Sequence, residues 1–287
     1  MNNNKILVSV CVITYNSEKY ILETLESIKA QTYENIELIV SDDCSKDRTV
    51  EIVGNWIKEN SMRFVNTKLL TVSNNTGVTG NCNRAYKVAK GDYIKDIGGD
   101  DLLCPHYIES CVNYMNEKKD VGVLFTEVEL FSDEEQVSFN PGKFDYFFFN
   151  YNFDERKKYL INTKMPHLPT PASFYRAEVI KNLGFFDERI PMWEDGPMYH
   201  KLIMTDTKIS LLKERLVKYR MSSDSITHTE PLSNKASMGL YYKYYIFPEI
   251  KYKKPLYAYL KYLKTFFIIN YKNPICLFLY KVISKIG

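Results

Sequence analysis

The first 130 residues of this chain alternate short apolar runs with segments whose apolar residues recur at helical spacing. The apolar runs predict strands at residues 6–13, 36–41, 67–73, 92–97 and 121–131. Between them, helical spacing is clearest at Ile21, Leu25 and Ile28, and a fourth helix is expected to open at Pro105, a favoured first helical position. The order βαβαβαβαβ predicts an α/β fold in which helices flank a mostly parallel sheet.

Polar clusters follow four of these predicted strands. They are Thr14-Tyr15-Asn16, Ser41-Asp42-Asp43-Cys44-Ser45, Ser73-Asn74-Asn75-Thr76-Gly77 and Gly98-Gly99-Asp100-Asp101. Ligands of parallel α/β sheets bind beyond the carboxyl ends of the strands. The four clusters are therefore expected to open on one rim of the sheet.

Asp100 and Asp101 are adjacent carboxylates at the end of a strand that is expected to be buried. Like charges and burial both raise carboxyl pKa values, so a cation beside the pair would stabilise it. Gly98 and Gly99 let the backbone approach a ligand, and carboxylate oxygens suit Mg²⁺ or Mn²⁺. The alternative is that Asp101 caps the following helix while Asp100 is solvated.

Two further acidic sites can have either a chemical role or a local structural role. Asp42 or Asp43 could accept hydrogen bonds from a nucleobase or a ribose, or either could simply be a turn residue. Asp195, in the segment Trp193-Glu194-Asp195-Gly196-Pro197, could deprotonate an attacking hydroxyl if its pKa lies near the working pH. Its alternative role is to cap the helix that follows.

Several other classes of protein are excluded by missing motifs. The sequence has neither a GxGxxG fingerprint nor a Walker lysine motif, which argues against dinucleotide and P-loop enzymes, and none of its four histidines is spaced as a zinc ligand. The six cysteines form no CxxC pair, and no stretch is long and apolar enough for a signal peptide or a membrane span. We therefore expect a reduced, cytoplasmic protein.

The C-terminal end differs from the rest of the chain in charge. Residues 243–287 contain nine Lys and one Glu, a charge of +8, which leaves −5 on residues 1–242 of a chain whose net charge is +3. Aromatic and aliphatic residues alternate with these lysines, which is typical of helices on an anionic membrane surface. A helical cap packed on the core is the alternative, and the aromatic segment 140–165 likewise predicts either a cover of the cleft or core packing.

The motifs, in their order along the chain, resemble the inverting glycosyltransferase family 2, whose fold is the GT-A nucleotide-binding domain. Val10 to Asn16 is similar to its first strand and donor-binding turn, and Asn35 to Thr49 to its base-binding segment. The resemblance continues through Asn75-Thr76-Gly77, Asn81, Lys90 to Lys95, Asp100-Asp101, Gly184 to Asp187 and Glu194-Asp195. It covers residues 6 to about 225.

The resemblance implies a GT-A catalytic domain over residues 1–225 and a helical extension over 226–287. It implies transfer of a sugar, with inversion, from a nucleotide-sugar donor, of which a UDP-sugar is expected, to a glycan or lipid-linked acceptor in surface polysaccharide, capsule or cell-envelope synthesis. Asp195 would be the general base, Asp100 and Asp101 would bind Mn²⁺ or Mg²⁺, and the donor nucleotide would be bound by Thr14, Tyr15, Asn16, Glu18, Asp42, Asn75, Gly77, Asn81, Lys95 and Asp100. The extension would contact the inner face of the membrane, and nucleic acid is not an expected partner.

The sequence departs from the family pattern at two positions. Gly98 stands where the metal motif usually begins with aspartate, and Cys82 stands where relatives often have an arginine, for which Lys95 or Arg84 could substitute. These departures keep open an alternative function, a non-catalytic sugar-nucleotide-binding or scaffold protein of the same fold.

Overall fold

A computed structural model describes residues 6–133, 144–162, 165–221, 231–253 and 255–286. Its strands form one eight-stranded sheet in the order β3-β2-β1-β4-β7-β6-β8-β5. The strands are β1 (Val8–Thr14), β2 (Ile36–Asp42), β3 (Asn66–Leu70), β4 (Tyr93–Gly98), β5 (Leu102–Leu103), β6 (Val121–Phe131), β7 (Ser173–Arg176) and β8 (Lys208–Arg220).

Helices connect and cover these strands. The first seven are α1 (Ile21–Lys29), α2 (Thr49–Asn60), α3 (Gly77–Val88), α4 (Tyr107–Glu117), α5 (Phe153–Asn162), α6 (Ala177–Asn182) and α7 (Asp195–Met204). The C-terminal helices are α8 (Pro231–Tyr241), which continues into a π-helical turn (Tyr242–Ile246), α9 (Phe247–Ile250), α10 (Pro255–Ile269) and α11 (Pro274–Ile286). Short 3₁₀ helices lie at Ser61–Arg63, Tyr146–Asn150 and Thr170–Ala172.

Strands β1 to β4 form the parallel half of the sheet, as predicted. Strand β1 pairs in parallel with β2 and with β4, and β2 pairs in parallel with β3. Every residue of β2 is buried, as is expected for a strand with helices on both faces. The carboxyl ends of these strands consequently lie on one edge, which is where the polar clusters follow.

The other half of the sheet is mixed, and here the predicted element order was too simple. Strand β7 pairs antiparallel with both β4 and β6, and the two-residue strand β5 pairs antiparallel with β8 before α4 begins. After β5, Pro105 and His106 form a turn in which the Tyr107 nitrogen donates to the carbonyl oxygen of Cys104 at 3.0 Å, so helix α4 begins at Tyr107 and not at Pro105. The capping role considered for Asp101 is therefore wrong, since Asp101 lies six residues before that helix.

The core lies on both faces of the sheet. One buried cluster joins Val10, Val12 and Ile97 to α1 and α4, and the other joins Cys11, Ile94 and Phe125 to α3, α6 and α7. All six cysteines are free thiols. In the aromatic segment, Phe148 is buried and Phe149 packs on Phe125 at a ring distance of 5.4 Å, so the described residues of that segment contribute to the core.

The C-terminal helices pack on the α/β body through α8. Ser237 Oγ accepts a hydrogen bond from the main-chain nitrogen of Met192 at 3.3 Å, and the Tyr241 ring contacts Trp193 at 5.1 Å. Helix α10 packs on α8, burying Ala258 and Ile268. None of the helices in the described ranges combines the length and apolar character needed to cross a bilayer. The predicted boundary at residue 225 lies outside the described residues and stays a prediction.

Candidate active site

The loops after β1 and β2 are joined by hydrogen bonds at the rim of the sheet. Thr14 Oγ1 donates to Asp42 Oδ1 at 3.0 Å. Asn16, in the left-handed region at φ 51°, accepts from the main-chain nitrogen of Lys46 through its side-chain oxygen at 2.8 Å. Glu18 Oε2 accepts from the main-chain nitrogen of Arg48 at 2.9 Å. The two loops thus form one continuous surface, within which Thr14 and Asp42 are buried and Tyr15 is exposed.

Helix α3 connects this surface to the loop before Asp195. Asn81, buried at the first turns of α3, donates through Nδ2 to the main-chain oxygen of Thr14 at 3.0 Å. Asn75 Oδ1 accepts from the main-chain nitrogen of Gly77 at 3.0 Å. A Cβ on Gly77 would lie 2.7 Å from the carbonyl oxygen of Pro191, so only glycine lets the two segments approach this closely.

The two cations considered as substitutes for the missing arginine already have protein partners. Arg84 donates to Asp43 Oδ1 at 3.0 Å, to Asn81 Oδ1 at 2.8 Å and to main-chain and hydroxyl oxygens of the β2 end. Lys95 is fully buried, and its ammonium donates to the carbonyl oxygens of Pro171 and Ser173 and lies over the Tyr107 ring. The structure brings Arg84 to the rim, whereas Lys95 points into the core beneath it.

Asp100 and Asp101 lie on a tight turn that packs against β1. The main-chain nitrogen of Gly99 donates to the carbonyl oxygen of Ile13 at 3.1 Å. Asp101 Oδ1 accepts from the main-chain nitrogen of Arg220 at 2.9 Å, which ties this carboxylate to the end of β8. Asp100 Oδ1 lies 2.8 Å from the position that a Cβ on residue 98 would take. The glycine that replaces the usual aspartate therefore leaves room for the Asp100 carboxylate.

Burial raises the pKa of both carboxyl groups, and the neighbouring Asp100 adds to the effect on Asp101. A bound divalent cation would reverse this shift, because it stabilises the charged form. Within the described ranges no three acidic, His or Cys side chains converge on a common point. The residues fit a cation held by Asp100 with further oxygens from a ligand, as Mg²⁺ and Mn²⁺ often are, and not an all-protein cage.

Asp195 is the first residue of α7, and its carboxylate is held at both oxygens. Thr170 Oγ1 donates to Oδ2 at 2.7 Å, and the main-chain nitrogen of Gly196 donates to Oδ1 at 2.7 Å. Burial raises the pKa of Asp195, while the Thr170 hydrogen bond opposes that rise. Burial, followed by the charge of Asp195, raises the pKa of Glu194 to about 8. A carboxylate in this setting can accept a proton near neutral pH.

Tyr219, near the end of β8, lies within electrostatic range of both acidic pairs. Burial raises its pKa to about 12, and the charges of Asp101, Asp100, Asp195 and Glu194 contribute to the shift in that order. Thr14 links Asp42 to the turn that carries Asp100 and Asp101. It donates a hydrogen bond to Asp42, and its Cγ2 lies 3.1 Å from the position that a Cβ on residue 99 would take. The polar clusters that follow β1, β2 and β4 therefore meet at the carboxyl edge of the sheet, as the sequence predicted.

Three residues of the site were missed by sequence reasoning. Arg220, Tyr219 and Thr170 come from β8 and from a 3₁₀ helix, which no motif marks. Arg220 is 4% exposed and its guanidinium donates to Glu23, Asp133 and the carbonyl oxygen of Asp100. Arg220 ends a segment, Lys213 to Arg220, in which charged and apolar residues are mixed, and such a pattern does not indicate a partner.

A cavity of about 830 Å³ lies away from this site. It is bounded by Tyr146, Phe149, Tyr151 and Arg156 and by the first residues of β8. The aromatic segment thus lines this cavity in addition to packing on the core.

Comparison with known proteins agrees with this architecture. Residues 9–184 match the sequence profile of glycosyl transferase family 2. An uncharacterised glycosyltransferase of Methanocaldococcus jannaschii is 30% identical over 222 residues, which cover 76% of this chain and 72% of that protein.

Two proteins with solved structures are also similar. TarS of Staphylococcus aureus, a poly(ribitol-phosphate) β-N-acetylglucosaminyltransferase, is 28% identical over 74% of this chain and 35% of its own length. Its residues 1–349 in complex with UDP-GlcNAc align with a TM-score of 0.62 at 20% identity, covering 91% and 79% of the two chains. The mannosyltransferase PcManGT of Pyrobaculum calidifontis, in complex with GDP-Man and Mn²⁺, aligns with a TM-score of 0.60 at 16% identity, covering 83% and 63%. These structures share the fold, and the matched profile covers more than half of the sequence, so the chain belongs to glycosyl transferase family 2.

Proposed function

We propose that this glycosyltransferase is a metal-dependent, inverting enzyme that uses a UDP-sugar as donor. The observation that carries the proposal is that two acidic pairs, Asp100-Asp101 and Glu194-Asp195, lie close enough to the half-buried Tyr219 for the charges of both pairs to raise its pKa. One pair follows β4 at the carboxyl edge of the sheet, and the other lies at the start of α7. A transferase of this kind needs acidic groups at both places, because donor and acceptor meet between them.

Asp195 acts on the acceptor in this proposal. Its carboxylate takes the proton from the attacking hydroxyl as that oxygen bonds to the anomeric carbon, and the bond from that carbon to the nucleoside diphosphate breaks on the opposite face. The configuration of the sugar is thereby inverted. Burial supports this role, because it raises the pKa of Asp195 towards the range where a general base works best.

Asp100 holds the cation in this proposal. A bound Mn²⁺ or Mg²⁺ would neutralise the charge that develops on the departing diphosphate. Arg84 and Lys95 donate hydrogen bonds to protein oxygens, and these contacts do not direct either side chain at a ligand. A metal cation would supply the positive charge that these two side chains do not. The Mn²⁺ in the PcManGT complex and the UDP-GlcNAc in the TarS complex support the cofactor and the donor class.

We also propose a glycan or lipid-linked acceptor and peripheral contact with an anionic membrane. The polymer named for TarS supports an envelope-glycan acceptor. Helix α10 leaves Leu256, Leu260 and Phe266 between 49% and 74% exposed, and α11 leaves Phe278 65% exposed. Lys253, Lys261, Lys272 and Lys281 are exposed on the same segment, so the surface combines apolar contact area with positive charge.

The test is donor turnover by the wild-type chain and by Asp195→Asn. Wild type with Mn²⁺ is incubated with UDP-, GDP- and dTDP-sugars, and nucleoside diphosphate release is measured with and without an acceptor extract. We expect Asp195→Asn to lower transfer by about 10²–10⁴-fold while donor affinity stays within a few-fold of wild type. Asp120→Asn, which removes an exposed partner of Lys208, is the matched control.

A non-catalytic sugar-nucleotide-binding protein gives a different result. Such a protein would show Mn²⁺-dependent binding of a nucleotide sugar by thermal shift but no turnover above that of Asp195→Asn. Transfer at the wild-type rate by Asp195→Asn would refute the assignment of Asp195 as the general base. Transfer unaffected by EDTA would refute the proposed metal dependence.

A further inference from the structure

A chain of two hydroxyl groups, one on the buried Tyr199 and one on the half-buried Thr170, ends on the carboxylate of Asp195. Tyr199 Oη donates to Thr170 Oγ1 at 3.1 Å, and Thr170 Oγ1 donates in turn to Asp195 Oδ2 at 2.7 Å. Thr170 has a single hydroxyl proton, and its only other acceptor in the described structure, the carbonyl oxygen of Leu168, is 3.5 Å away. The proton of Thr170 is therefore directed at Asp195.

The backbone around Thr170 is restrained. Thr170 lies between Pro169 and Pro171, whose rings fix their own φ angles, and its carbonyl oxygen accepts from Ser173 Oγ at 2.8 Å. Tyr199 is held by packing against Phe125 at a ring distance of 5.6 Å. Neither hydroxyl has to be ordered when substrate binds, so the pair presents a fixed donor to the carboxylate.

From this geometry we infer that Thr170, supported by Tyr199, is a positioning residue for the general base, an inference that rests on the function proposed for Asp195. The hydroxyl chain fixes Oδ2, and the Gly196 nitrogen fixes Oδ1, so the plane of the carboxylate is set. A hydrogen bond donated to a carboxylate favours its charged form. Thr170 thereby favours the ionised form of Asp195, the form that can accept a proton, in a site whose burial works against ionisation.

Other charged and titratable groups face Asp195 from the elements packed around it. Glu194 precedes it on the chain, and His167 faces it from the segment before the 3₁₀ helix. The charge of Asp195 contributes to raising the pKa of Cys82 on α3, Tyr175 on β7 and Tyr219 on β8. The charge of Asp96 on β4 contributes to raising the pKa of Glu194. Of these groups, His167 favours the charged form of Asp195 through its charge, and Thr170 is the side chain that does so by a hydrogen bond.

The experiment compares Thr170→Val, Thr170→Ser and Tyr199→Phe. Valine keeps the branched shape and removes the donor, so we expect the acid limb of the pH profile of kcat/KM to move up by about one pH unit, since hydrogen bonds to charged groups typically shift a pKa by this order. Serine keeps the hydroxyl and should restore the wild-type profile. Tyr199→Phe should move the limb in the same direction by less. A Thr170→Val profile that coincides with that of wild type overturns the inference.

A second readout does not depend on transfer activity. The Asp195 carboxyl carbon is titrated by ¹³C NMR in wild type and Thr170→Val, with its resonance assigned from Asp195→Asn. We expect the pH midpoint of this titration to be higher in Thr170→Val than in wild type by about one pH unit, as in the kcat/KM profile. An unchanged midpoint overturns the inference even if the wild type proves inactive. If Thr170→Val does not fold, as judged by circular dichroism, the Tyr199→Phe titration decides, and an unchanged midpoint there has the same meaning.

Discussion

Arg220 holds Asp101 and Asp100 through two different groups. Its main-chain nitrogen donates to Asp101 Oδ1 at 2.9 Å, and its Nε donates to the carbonyl oxygen of Asp100 at 2.9 Å. The same guanidinium also donates hydrogen bonds to the carboxylates of Glu23 on α1 and Asp133 after β6. The turn that carries the proposed cation ligand is thus anchored to three separate parts of the chain by one buried side chain.

Arg220→Lys should therefore both destabilise the protein and weaken donor binding. Lysine cannot reproduce the planar fork of donors, so at least one charge-assisted hydrogen bond is lost. We expect the free energy of unfolding in urea to fall by about 2 kcal/mol. Mn²⁺-dependent donor affinity, measured by calorimetry, should fall as well. Arg215→Lys, at a half-exposed arginine of the same strand, is the control, and equal effects of the two changes would refute the anchoring role.

Gly77→Ala and Gly184→Ala separate backbone strain from the contact with Pro191. Both glycines lie at positive φ, 80° and 73°. A Cβ on Gly184 would meet no atom within 4 Å, whereas a Cβ on Gly77 would lie 2.7 Å from the Pro191 oxygen. Gly184→Ala should cost about 1 kcal/mol of stability and leave transfer unchanged.

Gly77→Ala should cost more and should also lower kcat, because the displaced segment leads directly to Glu194 and Asp195. Thermal unfolding and initial rates of transfer measure the two effects. If both variants lose stability equally and keep wild-type kcat, the close approach of α3 to the Asp195 loop has no functional role.

Glu194→Gln should change how stability depends on pH. The pKa of Glu194 is raised to about 8 in the folded protein, so the folded state keeps a proton that the unfolded state has lost above about pH 4.5. Its contribution to stability is full below the unfolded pKa and declines as pH rises towards 8. Glutamine has no proton to lose, so the Tm of the variant should fall less than that of wild type between pH 5 and pH 8.5. Glu117→Gln, at an exposed site on α4, should behave like wild type, and parallel curves for all three proteins would contradict the shift.

The tail surface predicts selective binding to anionic vesicles. Lys272→Glu with Lys281→Glu should weaken flotation with phosphatidylserine-containing vesicles at least tenfold, because each lysine near such a surface contributes about 1 kcal/mol. Leu260→Ser with Phe266→Ser should weaken binding by removing buried apolar area. Lys58→Glu and Met62→Ser, at exposed sites on or next to α2, are the matched controls. Binding that is equal on phosphatidylcholine alone, or unchanged in the tail variants, would contradict membrane contact.

The sequence by itself determined the parallel half of the sheet and the rim where its polar clusters meet. Apolar periodicity is a local signal, and parallel strands with helical crossovers must end on a common edge. The placement of Thr14, Asp42 and Asp100 at that edge therefore follows from their positions after the predicted strands. The sequence also predicts a helix after the short segment Trp193 to Pro197, and α7 begins within that segment, at Asp195.

Only the tertiary structure decided which side chains support that rim. Arg220 and Asp101 are 119 residues apart and Thr170 and Asp195 are 25 apart, and no periodicity encodes such pairings. Lys95 shows the same limit within one strand: β4 is covered on both faces, so alternation could not tell that its side chain lies beside Tyr107 in the core and not at the ligand edge. Local patterns specify elements and their ends, whereas the partners of a buried polar group depend on which distant segments the packed sheet brings against it.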